Sequence, residues 1–283
     1  MTETTQVPTI PLNDGRAIPQ LGFGVFQVPP EETREATRLA LDTGYRHIDT
    51  AEGYRNEAGV GEAVRESGLD RDEVWITSKL SNDAHEPDDA RRAFEGTLAA
   101  LGVDAIDLFL IHWPLPTRYG GDFVSTWKTL EEFKADGRAR SIGVSNFQVP
   151  HLERLLAECD VVPAVNQIEL HPYLLNDAVR DYGETHGIAT EAWSPIARAT
   201  LLDDPVIVGI ADRAGRTPAQ VVLRWHLQRG SIVFPKSVTP ERVRENFALF
   251  DFELGVEEMA AITALDKGEE ARTGPDPDTF EGR

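Results

Sequence analysis

The chain has 283 residues, 41% of them hydrophobic, enough for two small domains or for one (β/α) barrel of about 250 residues. A formal charge of −20 excludes binding of nucleic acid or anionic lipid by bulk attraction, and no run approaches the roughly 18 consecutive apolar residues of a membrane span. The single cysteine, Cys159, excludes an internal disulfide and fits a reducing cytoplasm, and Met1–Gln6 lacks the basic-then-apolar layout of a signal peptide.

In chain order, an N-terminal pair is expected at Thr9–Pro11 and Ala17–Ile18, and a first barrel strand near Gln20-Leu21-Gly22-Phe23. A helix from Pro30 to Thr43 has a charged opening and Gly44 just beyond its end. Strand Arg46–Asp49 precedes helix Glu57–Ser67, strand Val74–Ser78 precedes helix Pro87–Leu101, and strand Asp107–Ile111 precedes helix Phe123–Asp136. The pattern continues with strand Ser141–Val144 and helix Pro150–Glu158, then strand Ala164–Ile168 and helix Asp177–His186. Strand Ala189–Trp193 leads to helices Pro205–Ala214 and Pro218–Arg229, and strand Ser231–Phe234 to a helix from Pro240. Eight strand–helix units are the number that closes a TIM-type barrel. Gly268–Arg283 has no periodicity and reads as a tail; no linker divides the chain, so residues 1–283 are expected to form a single domain. An open doubly wound sheet would carry Gly-x-Gly-x-x-Gly after its first strand, and Gly22-Phe23-Gly24-Val25-Phe26-Gln27 breaks that pattern.

Asp49, Lys79 and His112 close three of the short apolar runs, and Tyr54 follows Asp49 by five residues. Strand ends of a parallel barrel meet on one face, so these residues would converge. Reduction of a carbonyl needs hydride at carbon and a proton at oxygen, from an acid with a pKa nearer 7 than a free phenol's ~10. Lys79 beside Tyr54 would lower the phenol's pKa, Asp49 would hold the ammonium charged, and His112 would hydrogen-bond the developing oxyanion. Taken singly, each residue has a bland reading as a strand-end ion pair, a loop aromatic or a core histidine. The seven histidines form no His-x-x-x-His pair, so no metal site is expected, and no Gly-x-Ser-x-Gly elbow is present.

At these positions the chain resembles the aldo-keto reductases, near the prokaryotic 2,5-diketo-D-gluconate reductases. The stretch from Gly44 to Glu57 resembles that family's first signature; Ile76-Thr77-Ser78-Lys79-Leu80 and Leu110-Ile111-His112-Trp113-Pro114 match its lysine and histidine segments. Gly137 to Phe147 resembles the middle signature and Val233-Phe234-Pro235-Lys236-Ser237 the last, so ordered matches span most of the chain. The resemblance implies a (β/α)8 TIM barrel with an N-terminal hairpin and a C-terminal tail, which binds NADPH and reduces aldehydes and ketones. It implies Tyr54 as proton donor with Asp49, Lys79 and His112. It places Ser145, Asn146 and Gln167 on the nicotinamide carboxamide and Trp193 against the ring. Lys236, Ser237, Val238 and Arg242 would take the adenosine 2′-phosphate and its ribose, with Glu245 and Asn246 at the adenine. From the residues alone, two cations at a helix start already form an anion site.

Phe23, Trp113, His112 and the tail run Gly274–Phe280 are expected to wall the substrate pocket. Many relatives read Lys-Leu-Trp-Asn where this chain reads Lys79-Leu80-Ser81-Asn82; loss of the indole predicts a wider pocket. The substrate class implied is small aldehydes, dicarbonyls, keto sugar acids or keto esters, and a monomer is expected. The alternative within the resemblance is a non-catalytic relative, since the same barrel serves as a channel-associated subunit and a lens protein. A short-chain dehydrogenase is excluded because no tyrosine here has a lysine four residues later.

Overall fold

The computed structural model describes residues 7–282, so the expectation for Met1–Gln6 lies outside the described residues. The architecture follows from short strands whose two faces are both covered. A hairpin of β1 (Thr9–Pro11) and β2 (Ala17–Pro19) precedes β3 (Phe23–Gly24) and α1 (Pro30–Thr43). Then come β4 (His47–Asp49), α2 (Glu57–Glu66), β5 (Trp75–Leu80), α3 (Pro87–Leu101), β6 (Ile106–Ile111) and α4 (Phe123–Ala135). These are followed by β7 (Ala139–Ser145), α5 (Val149–Glu158), β8 (Val165–Glu169), α6 (Asp177–Thr185) and β9 (Ala189–Trp193). The chain ends with α7 (Pro205–Ala214), α8 (Pro218–Gln228), β10 (Ile232–Val233), α9 (Pro240–Phe247) and α10 (Val256–Thr263).

Strands β3 to β10 pair in sequence order, all parallel, in one eight-stranded sheet. The sheet closes on itself through a bridge between Leu21 and Val233. Gly22 N–H donates to Val233 O at 2.7 Å and Val233 N–H to Gln20 O at 3.0 Å. This is the expected barrel, with the N-terminal hairpin beneath it. Helix starts fall where proline stands: α1, α3, α7, α8 and α9 open at Pro30, Pro87, Pro205, Pro218 and Pro240. Proline's missing N–H costs nothing in a first turn. Gly102 and Gly215 end α3 and α7 at φ 65° and 61°, the left-handed conformation a C-cap requires.

Alternation along β6 separates two cores. Phe109 and Ile111 join the layer between sheet and helices, whereas Leu108 and Leu110 meet Val165, Ile232 and the hairpin's Leu12 and Ile18. The lower half of the barrel is therefore apolar and plugged, and polar groups are left for its upper half. Differences from the sequence expectation are small. Strand β5 runs through Lys79 to Leu80 instead of stopping before it, and the helix from Pro240 ends at Phe247, with residues 248–255 non-helical before α10.

Helices α2 and α3 meet at Gly61, where an added methyl would overlap the carbonyl oxygen of Leu101. Backbone cannot yield as a side chain does, so Gly61→Ala should destabilise by about 1–3 kcal/mol. A lowered urea midpoint at unchanged slope is expected; an unchanged midpoint would show that the helices slide apart freely.

Candidate active site

Lys79 is completely buried on β5. Its Nζ donates to Asp49 Oδ1 on β4 at 2.7 Å and to the carbonyl oxygen of Thr50 at 2.8 Å. Asp49 is buried too, and its second oxygen, Oδ2, accepts from Gln167 Nε2 on β8 at 2.8 Å. Burial drives Asp49 upward, opposed by Lys79 and Gln167. Burial likewise opposes the charge on Lys79, but Asp49 and Tyr54 outweigh it and raise its pKa. Both oxygens of Asp49 accept from N–H donors, which is the pattern of an ionised carboxylate; the pair is ionic.

Tyr54 sits in a single 3-10 turn, Glu52–Tyr54, just past β4. Its ring centroid lies 5.2 Å from Lys79 Nζ and 5.9 Å from the His112 ring, which it meets edge-on. Burial raises the phenol above 10; Lys79 pulls it back and Asp49 pushes it up, leaving it raised. The lowering expected from the lysine alone is thus reversed, because desolvation is the largest contribution and Asp49 offsets part of the ammonium's field. His112 is pushed down to about 3 by burial, then by Lys79 and His85, so it is neutral at pH 7 and carries one N–H donor.

Around this group the remaining residues are locked by hydrogen bonds. Asn146, at φ 65°, donates to His112 O at 2.9 Å and Ser145 Oγ at 3.0 Å, and accepts from Trp193 Nε1 at 2.8 Å. Asparagine tolerates that left-handed conformation better than most side chains. Ser145 Oγ donates to Gln167 O at 2.9 Å. Ser145, Asn146, Gln167 and Trp193 are therefore brought beside Asp49, Lys79 and His112.

Lys236, Ser237, Val238 and Arg242 form a second group where the chain leaves β10 and enters α9. Lys236 and Arg242 are exposed, Val238 is 45% exposed, and Ser237 Oγ accepts from Thr239 N at 3.1 Å. Glu245 is exposed and Asn246 half-buried, one to two turns further along α9.

Phe23 is a correction. It is 1% exposed and its ring meets Tyr45 at 5.7 Å in the layer between sheet and helices, so it does not line the site. The exposed aromatic is Phe26, 51% exposed, with its ring 5.0 Å from that of Tyr54. Trp113 packs against Phe280 of the tail at 4.4 Å and faces Trp193 at 6.4 Å.

Three contributors have no counterpart in the sequence reading. The Thr50 carbonyl holds Lys79. Glu191 on β9, fully buried, accepts from Gln167 Nε2 at 2.8 Å. Glu169, at the end of β8, accepts from Thr273 N at 2.7 Å, Thr273 Oγ1 at 2.6 Å, Gly274 N at 3.0 Å and His171 Nε2 at 3.1 Å. Burial raises Glu169, but these donors outweigh it and hold the carboxyl low. It pins the tail so closely over Trp193 that a methyl on Gly274 would overlap the indole. Polar residues inside a strand were the available signal for Glu191 and Glu169.

Lys79→Met should leave Asp49 buried without its cation and cost about 3–5 kcal/mol. Asp49's folded pKa would then rise further above its unfolded value. Stability from such a group is complete below the unfolded pKa and is lost as pH rises toward the folded one. Urea unfolding should therefore show a larger deficit against wild type at pH 8 than at pH 5. An equal deficit would mean that Asp49 is rescued by solvent.

The model of the aldo/keto reductase family matches residues 20–267. The chain is 52% identical over 273 residues to an aldo-keto reductase of Mycolicibacterium smegmatis, covering 96% of this chain and 98% of that one. It is 50% identical over 279 residues to methylglyoxal reductase DkgA of Yersinia pestis, covering 98% of each. The crystal structure of a Gox0644 variant in complex with NADPH superposes with a TM-score of 0.93 at 45% identity, over 97% of this chain and 99% of that one. With a family match over most of its length and half its residues shared with such relatives, the chain belongs to the aldo/keto reductase family.

Proposed function

We propose that the protein is an NADPH-dependent carbonyl reductase acting on small aldehydes, dicarbonyls, keto sugar acids or keto esters, with Tyr54 as proton donor. The observation that carries this reading is the Asp49–Lys79 pair at 2.7 Å, standing beneath Tyr54 with His112 alongside. The residues present fit the cofactor. Gln167 has spent both amide hydrogens on carboxylates, so its Oε1 is left to accept from a carboxamide. Trp193 is half-buried with its ring held by Asn146, and exposed cations at Lys236 and Arg242 flank the start of α9. The opening turn of a helix together with two cations suits a phosphate monoester.

When bound, reduced nicotinamide supplies the hydride that goes to the carbonyl carbon. Tyr54 supplies the proton to the carbonyl oxygen, and its phenolate forms beside a fixed ammonium. A raised phenol keeps Tyr54 protonated at neutral pH, so the acid is loaded before reaction. Lys79 lowers the cost of the anion as it develops, without reorganisation, because Asp49 and Thr50 already hold it in place. Neutral His112 donates its N–H to the same oxygen and aligns it. Trp113, Phe26 and the tail residue Phe280 are placed to exclude water from the reacting carbonyl.

Tyr54→Phe should lower kcat for methylglyoxal with NADPH by about 10²–10⁴-fold, the usual contribution of a positioned general acid, with Kd for NADPH unchanged. Turnover surviving in the variant would remove Tyr54 from the role; tight NADPH binding without wild-type turnover would favour the non-catalytic reading.

Arg242→Ala should weaken NADPH by about tenfold or more, as loss of a charge-assisted contact does, and leave NADH little changed. Equal losses for both, measured by quenching of intrinsic fluorescence, would exclude Arg242 from the 2′-phosphate.

A further inference from the structure

Two carboxyl groups flank one amide in the upper barrel, and a single lysine is available to balance them. Gln167 Nε2 donates one hydrogen to Asp49 Oδ2 and the other to Glu191 Oε2, both at 2.8 Å. Asp49 is the anion of the ion pair, so the amide nitrogen must face it, and the second N–H then needs an acceptor. Glu191 supplies one. Its other oxygen, Oε1, is buried and unpartnered, 3.9 Å from His47 Nε2, which instead lies 3.1 Å from Thr77 Oγ1.

The groups facing Glu191 are few. From β4 come His47 and Asp49, from β5 Lys79, and from β8 the uncharged Gln167; β10 on its other side holds only Ile232 and Val233. His47 is pushed down to about 3 by burial and stays neutral. Lys79 is already committed to Asp49. A second full negative charge would therefore have no cation of its own in this space. Burial, reinforced by Asp49, raises Glu191 to about 8, so it holds a proton at neutral pH.

The geometry points to Glu191 as a positioning residue for the nicotinamide end of the site that senses the cofactor's redox state. It keeps the Gln167 carbonyl oxygen turned toward the cofactor, and it sheds its proton to solvent when the ring beside Gln167 is oxidised. This rests on the assignment of Gln167 to the nicotinamide carboxamide. The oxidised ring carries a positive charge and the reduced ring none, so only NADP⁺ gives the Glu191 carboxylate a counter-charge. An ionised Glu191 thus favours NADP⁺, and a protonated Glu191 is indifferent to the ring's charge. The sign follows directly: as pH rises through the carboxyl's titration, NADP⁺ tightens relative to NADPH. Its phosphates are common to both forms, so their titration cancels in the ratio.

The test is fluorescence titration of the wild-type protein with NADP⁺ and with NADPH from pH 6.5 to 9.5, beside Glu191→Gln and Gln167→Ala. The wild-type ratio Kd(NADPH)/Kd(NADP⁺) is expected to rise, by about tenfold for each unit by which the bound cation lowers the Glu191 pKa. Glu191→Gln has a side-chain carbonyl that can still accept from Gln167 but cannot ionise, so it removes the titrating group and keeps the acceptor. Its ratio should be flat with pH. A slope retained in Glu191→Gln, or a flat wild type, overturns the inference. Calorimetry of NADP⁺ and of NADPH binding to wild type in two buffers of different ionisation enthalpy should show greater proton release with NADP⁺ below pH 8; equal release overturns it without reliance on any variant. Gln167→Ala should weaken both forms, and if it weakens neither, the assignment of Gln167 fails whatever Glu191 does.

Discussion

Lys79 is a charge that the barrel cannot hydrate, and the rest of the site follows from that. With none of its surface open to water, its ammonium needs an anion and further acceptors, because a bare buried cation costs several kcal/mol. Asp49 and the Thr50 carbonyl meet that need. An ionised Asp49 then needs a donor on its second oxygen, which brings in Gln167 from β8, and the amide's spare hydrogen brings in Glu191 from β9. Each step is compelled by the cost of leaving a buried polar group unpaired. The chain crosses the barrel mouth from β4 and β5 to β8 and β9. It thereby ties to one network the residues proposed to move a proton and the residue proposed to hold the carboxamide.

The same logic marks what could be read from the residues in order. Helices were legible because proline is tolerated in a first turn and little elsewhere, so Pro30, Pro87, Pro205, Pro218 and Pro240 announce their starts. Asp49 and His112 were legible as polar ends of apolar runs. Lys79 follows the same pattern in sequence, although it lies inside β5, whose ladder continues to Leu80. A lysine can remain in a ladder there only because Asp49 arrives from the neighbouring strand, and local pattern cannot report that. Glu191 was missed for a related reason. A polar residue alternating with apolar ones reads as facing solvent, but in a closed barrel the face opposite the helices is the interior. Phe23 and Phe26 failed on phase: a two-residue strand, β3, carries too little alternation to say which aromatic faces outward.

The tail shows how an aperiodic segment can be ordered. The described residues from Gly268 onward hold one short 3-10 turn and no strand, so their backbone groups find few partners among themselves. Glu169 supplies the missing acceptors, taking Thr273 and Gly274 amides together with the Thr273 hydroxyl. From that anchor the chain passes over Trp193, reaches Trp113 with Phe280, and arrives at Glu281, whose carbonyl oxygen accepts from Arg118 at 3.0 Å. The anchor itself belongs to β8, the strand that also carries Gln167. One strand therefore positions both the floor of the site and its wall, and a change in its register would disturb both together.

Charge adds a constraint of another range. At −20 the surface as a whole repels a phosphate-bearing dinucleotide, whereas Lys236 and Arg242 attract it. Mobile ions decide which is felt. At physiological ionic strength charges beyond about 8 Å are screened, so the distant carboxylates fade while the two cations at the head of α9 still act on a phosphate in contact with them. As salt is removed the screening length grows and the acidic surface reasserts itself at the approach. The cations and the first turn of α9 must then be near enough to the phosphate to outweigh it. This explains why the proposed phosphate site is built from exposed side chains in an otherwise acidic protein. On the proposed assignment the buried network would fix the reacting end at short range, and the adenosine end would depend on a local reversal of the protein's own field.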